Sequence, residues 1–449
     1  MTELPDSKKF FDVAVLGGGI VGAATFYTLA KYTNLKSLVL IEKYSKLGLV
    51  NTGSLSNSQT LHFGDIETNY TLKRAQKVKV AAQMVARYVE SLPKSEQKII
   101  FKKFQKMVIG VGEAESAIIR RRFAEFKPLF PKQRLLDAKG IASHEPAAMA
   151  GRNPATEMAA IVSDDGYTLD YAALAESFAA RAKQIKDKET QMYCDTKVKN
   201  LKKIPHGYEI YTTRGLIRAR TVVAALGAHS LFFAKTLGYG QEYLILPIVG
   251  NFFCTGRKIL NGKVYTVQEP KLPFAAIHGD PGFNDPDETS FGPTAKALPI
   301  LERRHPETFF EFIKSAGLDF SAAGSLVSIL KDPIVFKFVA TNFLFDLPLI
   351  GGWAFVKSAC KIVPNLKPAD FKGGRVLGGI RPQLVNKKTH KLLLGTAEIE
   401  GENIIFNVTP SPGATACLKT AQSNTQKVIS FWGRGAHFDK TRFSRDFIL

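Results

Sequence analysis

The chain has 449 residues, 45% of them hydrophobic and 22% charged, a composition typical of globular proteins with room for two domains. No apolar run approaches the roughly 20 residues that cross a bilayer. The four cysteines are far apart and form no Cys-x-x-Cys pair, so we predict neither a metal site nor a disulfide framework. The first strand begins near Phe11, which predicts no signal peptide and favours a cytoplasmic location.

The net charge is +21, from 61 basic and 40 acidic residues. The excess is concentrated in residues 73–134, where 16 Lys/Arg stand against 5 Asp/Glu, a net of +11. Such a stretch attracts anionic lipid, nucleic acid or an anionic substrate. The alternative is a solvated basic face that keeps the protein soluble.

A predicted βαβ unit over residues 11–46 opens the chain. An apolar strand at residues 13–16 leads into Gly17-x-Gly19-x-x-Gly22, followed by a helix and a second apolar strand. In this context Gly17 allows the tight turn, Gly19 lets a pyrophosphate approach the backbone, and Gly22 lets the helix pack on the strand. The helix N-terminus then offers free N–H groups to the phosphates.

The second strand of this unit ends on Glu42, 20 residues after Gly22. A carboxylate at this point accepts hydrogen bonds from a ribose, so the pattern predicts a bound dinucleotide. A second turn of this kind is missing from the sequence, since Gly110-Val-Gly112 lacks the third glycine. We therefore expect one dinucleotide, and an electron acceptor other than nicotinamide.

The remaining elements are predicted from periodicity and from turn residues. Helices are predicted over residues 67–90, 113–126 and 170–186, and strands over 106–111, 197–201, 208–213, 216–219 and 221–227. Residues 240–300 are strand-like, 306–365 mainly helical, 375–380 and 391–398 strands, and 413–431 a final helix entered through Ser411.

The most apolar stretch, residues 333–363, is interrupted by Lys337, Asp346, Pro348 and Lys357. These interruptions leave no apolar run of the roughly 20 residues that span a bilayer. We interpret it as a buried pair of helices, with an apolar surface that dips into one leaflet as the alternative.

Three pairs of motifs keep their order across nearly the whole chain. They are residues 56–62 (Ser-Asn-Ser-Gln-Thr-Leu-His) with 67–71 (Glu-Thr-Asn-Tyr-Thr), 277–280 (Ile-His-Gly-Asp) with 290–293 (Ser-Phe-Gly-Pro), and 379–383 (Gly-Ile-Arg-Pro-Gln) with 411–415 (Ser-Pro-Gly-Ala-Thr). Together with the opening turn and strand 222–228, they resemble the malate:quinone oxidoreductases of the D-amino-acid-oxidase-like flavoprotein superfamily.

Residues 56–62 depart from that family's usual Asn-Asn-Ala-Gly-Thr-Gly-His, and Gln59 and Leu61 replace its two glycines. Larger side chains there change the space beside the flavin or the substrate. The exact substrate is therefore left open between malate, L-2-hydroxyglutarate, another 2-hydroxy acid and an amine.

The resemblance implies an α/β fold with a Rossmann-like FAD-binding domain and a second domain built on a mixed or antiparallel sheet with helices. The FAD-binding domain is expected to be discontinuous, formed by residues 10–85, 146–238 and 372–449. Residues 86–145 and 239–371 are expected to form the substrate domain, with the flavin ring at the border of the two.

The cofactor implied by the resemblance is FAD. The final helix is expected to point its N-terminus at the flavin pyrimidine, where its dipole stabilises negative charge. The residues expected to contact FAD are Gly17, Gly19, Gly22, Glu42, Lys43, Asn57, Thr60, Leu61, Val198, Gly227, Gly379, Gly413, Ala414 and Thr415.

Oxidation of a 2-hydroxy acid needs a cation for the carboxylate and a base for the hydroxyl proton. Arg381 is predicted to hold the carboxylate, because its planar fork binds such groups bidentately. His278 is the first candidate for the base and His62 the second. A second polar clamp for a dicarboxylate is predicted from Asn69, Tyr70 and Gln383.

The resemblance implies FAD-dependent oxidation of (S)-malate to oxaloacetate, with electrons passed to quinone. Since quinones are lipid-soluble, we expect peripheral attachment to the inner face of the cytoplasmic membrane, aided by an anionic surface. An RNA-binding flavoprotein is the alternative from another class. The sequence shows no RNA-binding motif, so no nucleic acid partner is expected.

Overall fold

The computed structural model describes residues 9–448 except 271, 273–275, 284, 286, 317–319, 348–349, 394–396 and 411. Within this part the strands are β1 (Phe10–Leu16), β2 (Ser37–Ile41), β3 (Thr60–Leu61), β4 (Phe101–Val111), β5 (Arg134–Leu136), β6 (Met158–Leu169), β7 (Glu189–Tyr193), β8 (Val198–Ile204), β9 (Gly207–Thr212), β10 (Leu216–Ala224), β11 (Tyr243–Cys254), β12 (Lys263–Thr266), β13 (His278–Pro281), β14 (Thr289–Gly292), β15 (Lys296–Ala297), β16 (Gly374–Asn386), β17 (Lys391–Leu392), β18 (Ala397–Gly401) and β19 (Ile404–Val408).

The α-helices of the same part are α1 (Ile20–Tyr32), α2 (Leu72–Glu90), α3 (Lys94–Ile100), α4 (Glu113–Phe126), α5 (Ala138–His144), α6 (Pro146–Met149), α7 (Tyr171–Lys183), α8 (His229–Thr236), α9 (Phe309–Ala316), α10 (Phe320–Leu330), α11 (Pro333–Leu344), α12 (Gly351–Ala359), α13 (Cys417–Trp432) and α14 (Lys440–Phe447). The predicted helices at 67–90, 113–126 and 170–186 correspond to α2, α4 and α7.

The first sheet has the strand order β18-β19-β10-β1-β2-β7. Strands β19, β10, β1, β2 and β7 are parallel, and β18 runs antiparallel beside β19. Strands covered on both faces of a parallel sheet are continuous apolar runs, and residues 13–16 are fully buried. The predicted βαβ unit is confirmed as β1, α1 and β2 in the centre of this Rossmann-like sheet.

The prediction of two separate strands at residues 216–219 and 221–227 is wrong. Residues 216–224 form the single strand β10, which pairs antiparallel with β9 over its first half and parallel with β19 near its end. Arg220 interrupts the apolar pattern and suggests a break that the backbone does not make.

The second sheet has the order β17-β16-β11-β14-β13-β12-β4-β6-β3, with β15 beside β11 and β5 beside β6. Its pairs are antiparallel except for the parallel pair β12 and β4. This mixed sheet confirms the predicted fold class of a Rossmann-like domain joined to a second sheet with helices. Strands β6, β7 and β19 lie outside the predicted elements.

The predicted domain boundaries stay a prediction. The first sheet takes its strands from residues 10–41, 189–224 and 397–408, and all other strands belong to the second sheet. Strands β6 and β16 lie in the second sheet although their residues fall in segments predicted for the FAD-binding domain.

The helices of residues 333–363 differ from the buried pair that the sequence predicts. Helix α12 is buried through Phe355, but α11 exposes Phe336, Val339 and Phe343. Pro348 lies outside the described residues. No helix in the described part of the chain is long and apolar enough to cross a bilayer.

Candidate active site

A cavity is lined by residues from both sheets. Most of the predicted site residues line it, namely Gly17, Gly19, Glu42, Lys43, Asn57, Thr60, His62, Val198, Gly227, Gly379, Arg381, Gly413, Ala414 and Thr415. Six others lie beside or behind this lining, namely Gly22, Leu61, Asn69, Tyr70, His278 and Gln383.

Each glycine of the turn between β1 and α1 has its own physical reason. Gly17 has a φ of +96°, a conformation that favours glycine. A Cβ at Gly22 would lie 1.9 Å from the carbonyl oxygen of Gly17, so the helix packs directly on the turn. A Cβ at Gly19 would meet only Thr52 Oγ1, at 3.4 Å. The space over Gly19 therefore opens into the cavity, where a pyrophosphate fits at the start of α1.

These contacts predict different results for two alanine substitutions. Gly22→Ala should lower the free energy of unfolding by at least about 1–3 kcal/mol, because the added Cβ overlaps backbone. Gly19→Ala should change the stability of the cofactor-free protein by less than about 0.5 kcal/mol, yet weaken dinucleotide binding. Thermal unfolding and a cofactor-binding titration measure the two effects. Equal loss of stability in both variants would contradict this interpretation.

Glu42 at the end of β2 is buried, and its carboxylate accepts the backbone N–H of Gly18 at 2.6 Å and of Tyr44 at 2.9 Å. Burial raises the pKa of Glu42, although these two hydrogen bonds oppose it. Each oxygen retains lone pairs for a ribose hydroxyl. Lys43 forms an ion pair with the buried Glu302, so the segment that follows β15 covers this end of the cavity.

Asn57 lines the cavity, but its amide organises the loop before β3. Its Nδ2 donates to the carbonyl oxygens of Asn51 at 3.1 Å and Gly53 at 3.0 Å. The same loop is tied to β16, because the N–H of Gly379 donates to the carbonyl oxygen of Ser56 at 2.7 Å. The loop therefore links the glycine turn to the strand that borders the cavity on the other side.

The segment before the last long helix also faces the cavity. Residues 412–416 form turns, and α13 begins at Cys417, four residues later than predicted. Thr415 Oγ1 accepts the backbone N–H of His62 at 3.1 Å. Ser411 lies outside the described residues. The positive end of the α13 dipole thus lies beside the cavity.

Arg381 on β16 lines the cavity and is half-buried, and its guanidinium makes no hydrogen bond or ion pair with any described residue. Desolvation lowers its pKa to about 10, so the guanidinium stays charged at neutral pH. A partly desolvated charge without a partner costs free energy unless a ligand of opposite charge pairs with it. Gln383 lies two residues further along β16, hence on the same face, and its buried Oε1 has no partner among the described residues.

His62 is held by a buried carboxylate. Its Nδ1 lies 2.6 Å from Glu67 Oε1. Burial raises the pKa of Glu67, but the hydrogen bond and charge of His62 and the charge of Lys106 outweigh it and bring the pKa to about 2. A carboxylate only accepts hydrogen bonds, so Nδ1 carries the proton and Nε2 is left as the acceptor.

His278 is buried behind the cavity lining. Its Nε2 lies 3.2 Å from Asp280 Oδ2, and its ring stacks on Tyr265 with centroids 4.5 Å apart. The Tyr265 hydroxyl is hydrogen-bonded to Thr60 Oγ1 at 2.9 Å. Lys263 Nζ lies 3.3 Å from Asp280 Oδ1. His278 is thus linked to the cavity through Tyr265 and Thr60.

Asn69 and Tyr70 lie off the cavity, so their role as a second clamp stays a prediction. Tyr70 packs against Phe126, and the guanidinium of Arg74 lies 4.1 Å from the centre of its ring. The Oδ1 of Asn69 is buried and finds no partner among the described residues. Leu61 belongs to the apolar core around α1.

The buried charges beside this site are not predicted from the sequence. Lys106 and Arg122 belong to the basic stretch 73–134, yet both are buried. Lys106 Nζ lies 2.8 Å from Asp65 Oδ1. Periodicity cannot distinguish Lys106 from the exposed lysines that precede it in β4. The surface charge of the stretch is therefore smaller than its composition suggests.

Comparison with known proteins agrees with this arrangement. The family model described as FAD dependent oxidoreductase matches residues 12–422. The probable malate:quinone oxidoreductase of Campylobacter jejuni is 38% identical, over 98% of this chain and 100% of that protein. The malate:quinone oxidoreductase of Helicobacter pylori (strain 26695) is 36% identical, over 97% of each. The human mitochondrial L-2-hydroxyglutarate dehydrogenase is 23% identical, over 92% of this chain and 87% of that protein.

Among solved structures, the L-alpha-glycerophosphate oxidase from Mycoplasma pneumoniae with FAD bound superposes with a TM-score of 0.66 and 18% identity. The superposition covers 94% of this chain and 95% of that one, which shows a shared fold. The chain therefore belongs to the malate:quinone oxidoreductase family, within the FAD-dependent oxidoreductases.

Proposed function

We propose that the protein oxidises (S)-malate to oxaloacetate and passes the electrons to membrane quinone. The relatives named for this reaction are 36–38% identical over nearly the whole chain. The observation in the structure that carries the proposal is the half-buried guanidinium of Arg381, which lines the cavity and has no partner among the described residues. Bound FAD supplies the chemistry of hydride acceptance and of electron transfer to the second acceptor.

The residues of the glycine turn would hold FAD by its phosphates. The open space over Gly19 would receive the pyrophosphate, and Glu42 would accept hydrogen bonds from the ribose. The start of α13, with Thr415, would face the flavin pyrimidine and favour negative charge there. The cavity lining supports this placement, because it runs from Glu42 and Lys43 to the turn before α13.

Arg381 would bind a carboxylate of the substrate. A guanidinium presents two parallel N–H groups to a carboxylate, and this fixes the direction of the bound molecule as well as its affinity. Gln383 on the same face of β16 offers a carboxamide for a second polar group. Such a clamp would orient the 2-hydroxyl toward a base that lines the same cavity.

His62 would take the hydroxyl proton. It lines the cavity, and Glu67 leaves its Nε2 as the acceptor. The sequence ranks His278 ahead of His62, but the geometry favours His62, because His278 lies behind Tyr265. A base hydrogen-bonded to a carboxylate is also stabilised as the cation that forms when it accepts the proton.

Other substrates of the same superfamily are the nearest alternatives. The relative named for L-2-hydroxyglutarate is far less similar than those named for malate. A panel of 2-hydroxy and 2-amino acids, mixed with the oxidised enzyme without oxygen, separates these possibilities by the rate of flavin bleaching. Malate should bleach the flavin faster than 2-hydroxyglutarate, glycine or proline. A faster reaction with one of these three compounds would show that it, and not malate, is the preferred substrate.

The membrane contact is best supported on helices α9–α12. Eleven of the twenty large apolar side chains that are exposed among the described residues lie between 309 and 353. They are Phe309, Phe310, Ile313, Val327, Leu330, Phe336, Val339, Phe343, Leu344, Ile350 and Trp353. Exposed Lys314, Lys337 and Lys357 lie on the same helices, and exposed Lys331 lies between α10 and α11. Apolar side chains flanked by lysines favour shallow insertion into an anionic leaflet, where quinone is dissolved.

The triple substitution Phe336→Ser, Phe343→Ser and Trp353→Ser tests this surface. Each removed aromatic side chain contributes up to about 1.5–3 kcal/mol when buried, so cosedimentation with anionic liposomes should fall at least ~10-fold. Malate oxidation with a soluble dye should stay unchanged. Ile99→Ser, at an exposed apolar residue of α3, is the matched control. Undiminished liposome binding by the triple variant would exclude this surface.

A further inference from the structure

Gln59 has an unusual backbone conformation for a residue with a side chain. Its φ is +55°, in the left-handed region that penalises a Cβ. The surroundings impose this conformation: its N–H donates to Asn57 Oδ1 at 2.8 Å, and its carbonyl oxygen accepts the N–H of Leu169 at 2.7 Å. Glycine would adopt it without strain, so packing alone does not explain a glutamine here.

Gln59 is one of the residues that line the cavity. It is 9% exposed and stands between Ser58 and Thr60, which also line the cavity. Its Nε2 is buried and has no acceptor among the described residues. An amide nitrogen donates only, and a buried donor without an acceptor costs free energy. Its missing partner is therefore an oxygen acceptor that enters the cavity.

The position of Gln59 relates it to the substrate clamp. Ser56, three residues earlier, accepts the hydrogen bond from Gly379, and Gly379 lies two residues before Arg381 on β16. His62 follows three residues later and also lines the cavity. Gln59 thus stands on the loop that borders both the carboxylate-binding wall and the base.

We propose that Gln59 is a binding residue of the loaded site, whose carboxamide donates a hydrogen bond to an oxygen acceptor there. This inference rests on the proposed function and deepens it. The acceptor is either a carboxylate oxygen of the dicarboxylate substrate or a carbonyl oxygen of the flavin ring. Both sources share the same chemistry, and an experiment on the holoenzyme distinguishes them.

The test compares Gln59→Leu, which removes the donor at similar size, with Gln59→Gly, which also removes the strain. Oxaloacetate is titrated into each oxidised holoenzyme and its binding read from the visible spectrum of the flavin. If the acceptor belongs to the substrate, both variants should bind oxaloacetate about 5- to 20-fold more weakly, with an unchanged flavin spectrum and midpoint potential before titration.

If the acceptor belongs to the flavin, the substrate-free spectrum and midpoint potential should shift, and the oxaloacetate affinity should hold. Gln59→Gly should melt no lower than the wild type, so a folding defect of Gln59→Leu leaves the test intact. The inference is overturned if both variants keep the wild-type affinity, spectrum and potential. Failure of the wild-type flavin to be reduced by malate would instead count against the proposed function alone.

Discussion

Replacing Arg381 with alanine is expected to lower kcat/KM for malate by roughly 30- to 900-fold. The half-buried guanidinium lines the cavity wall without a protein partner among the described residues, so a substrate carboxylate bound there would exclude solvent from the interaction. Loss of a charge-assisted, bidentate interaction at such a site costs about 2–4 kcal/mol. Stopped-flow reduction of the flavin without oxygen measures the loss directly.

Two variants control for this result. Arg381→Lys keeps the charge but lacks the planar fork, so its rate should fall between wild type and Arg381→Ala. Arg257→Ala removes an exposed arginine that pairs with Asp370, and its activity should stay near that of the wild type. FAD content should be unchanged in all three. Near-normal malate oxidation by Arg381→Ala would show that Arg381 does not bind the substrate carboxylate.

His62→Ala is expected to slow flavin reduction by at least ~100-fold, the usual scale for the loss of a general base. His62 faces the cavity with Nε2 as the acceptor, because Glu67 holds its Nδ1. His278→Ala should slow the reaction less, since His278 contacts the cavity only through its neighbours Tyr265 and Thr60. A larger loss in His278→Ala would restore the order that the sequence predicts.

Glu67→Gln gives the same assignment an independent readout. The pKa of Glu67 is about 2, so this carboxylate is negative throughout the working range and keeps the proton of His62 on Nδ1. A carboxamide can donate to Nδ1 as well as accept from it, so the variant no longer fixes Nε2 as the acceptor. Flavin reduction by malate should therefore slow, as it does where the tautomer of a catalytic histidine is no longer set by a carboxylate, while the FAD content stays unchanged. A wild-type rate of flavin reduction in Glu67→Gln would show that this carboxylate does not orient the base.

The fold was predictable where a short sequence motif and continuous apolar runs mark the buried, parallel strands. The sequence predicts the glycine turn, its two flanking strands and α1 from a stretch of 32 residues. Each glycine of the turn is needed for its own steric reason, so the motif indicates one local structure. Strand β6 was not predictable, because residues 163–166 place polar groups in its centre. There the pairing with β4 shifts register, which sequence alone does not reveal.

The residues that line the cavity were largely predictable from the sequence. The buried polar residues around the cavity were not. Glu42, Thr415 and Arg381 all line the cavity as their motifs indicate. The motif that contains Asn57 does not reveal that its amide nitrogen donates its hydrogen bonds to carbonyl oxygens of the same loop. The ion pair of Lys106 with Asp65 joins residues 41 positions apart, and such pairs follow from tertiary packing, not from spacing along the chain.

Anaerobic addition of malate to the purified, yellow holoenzyme tests the central claim most directly. The flavin absorbance should bleach with saturating dependence on malate, a soluble quinone should restore it within the time of one turnover, and NAD should leave it bleached. The cavity with an unpaired Arg381 and the single dinucleotide turn predict this result. A flavin that stays oxidised with malate, or that is reoxidised by NAD and not by quinone, would contradict it.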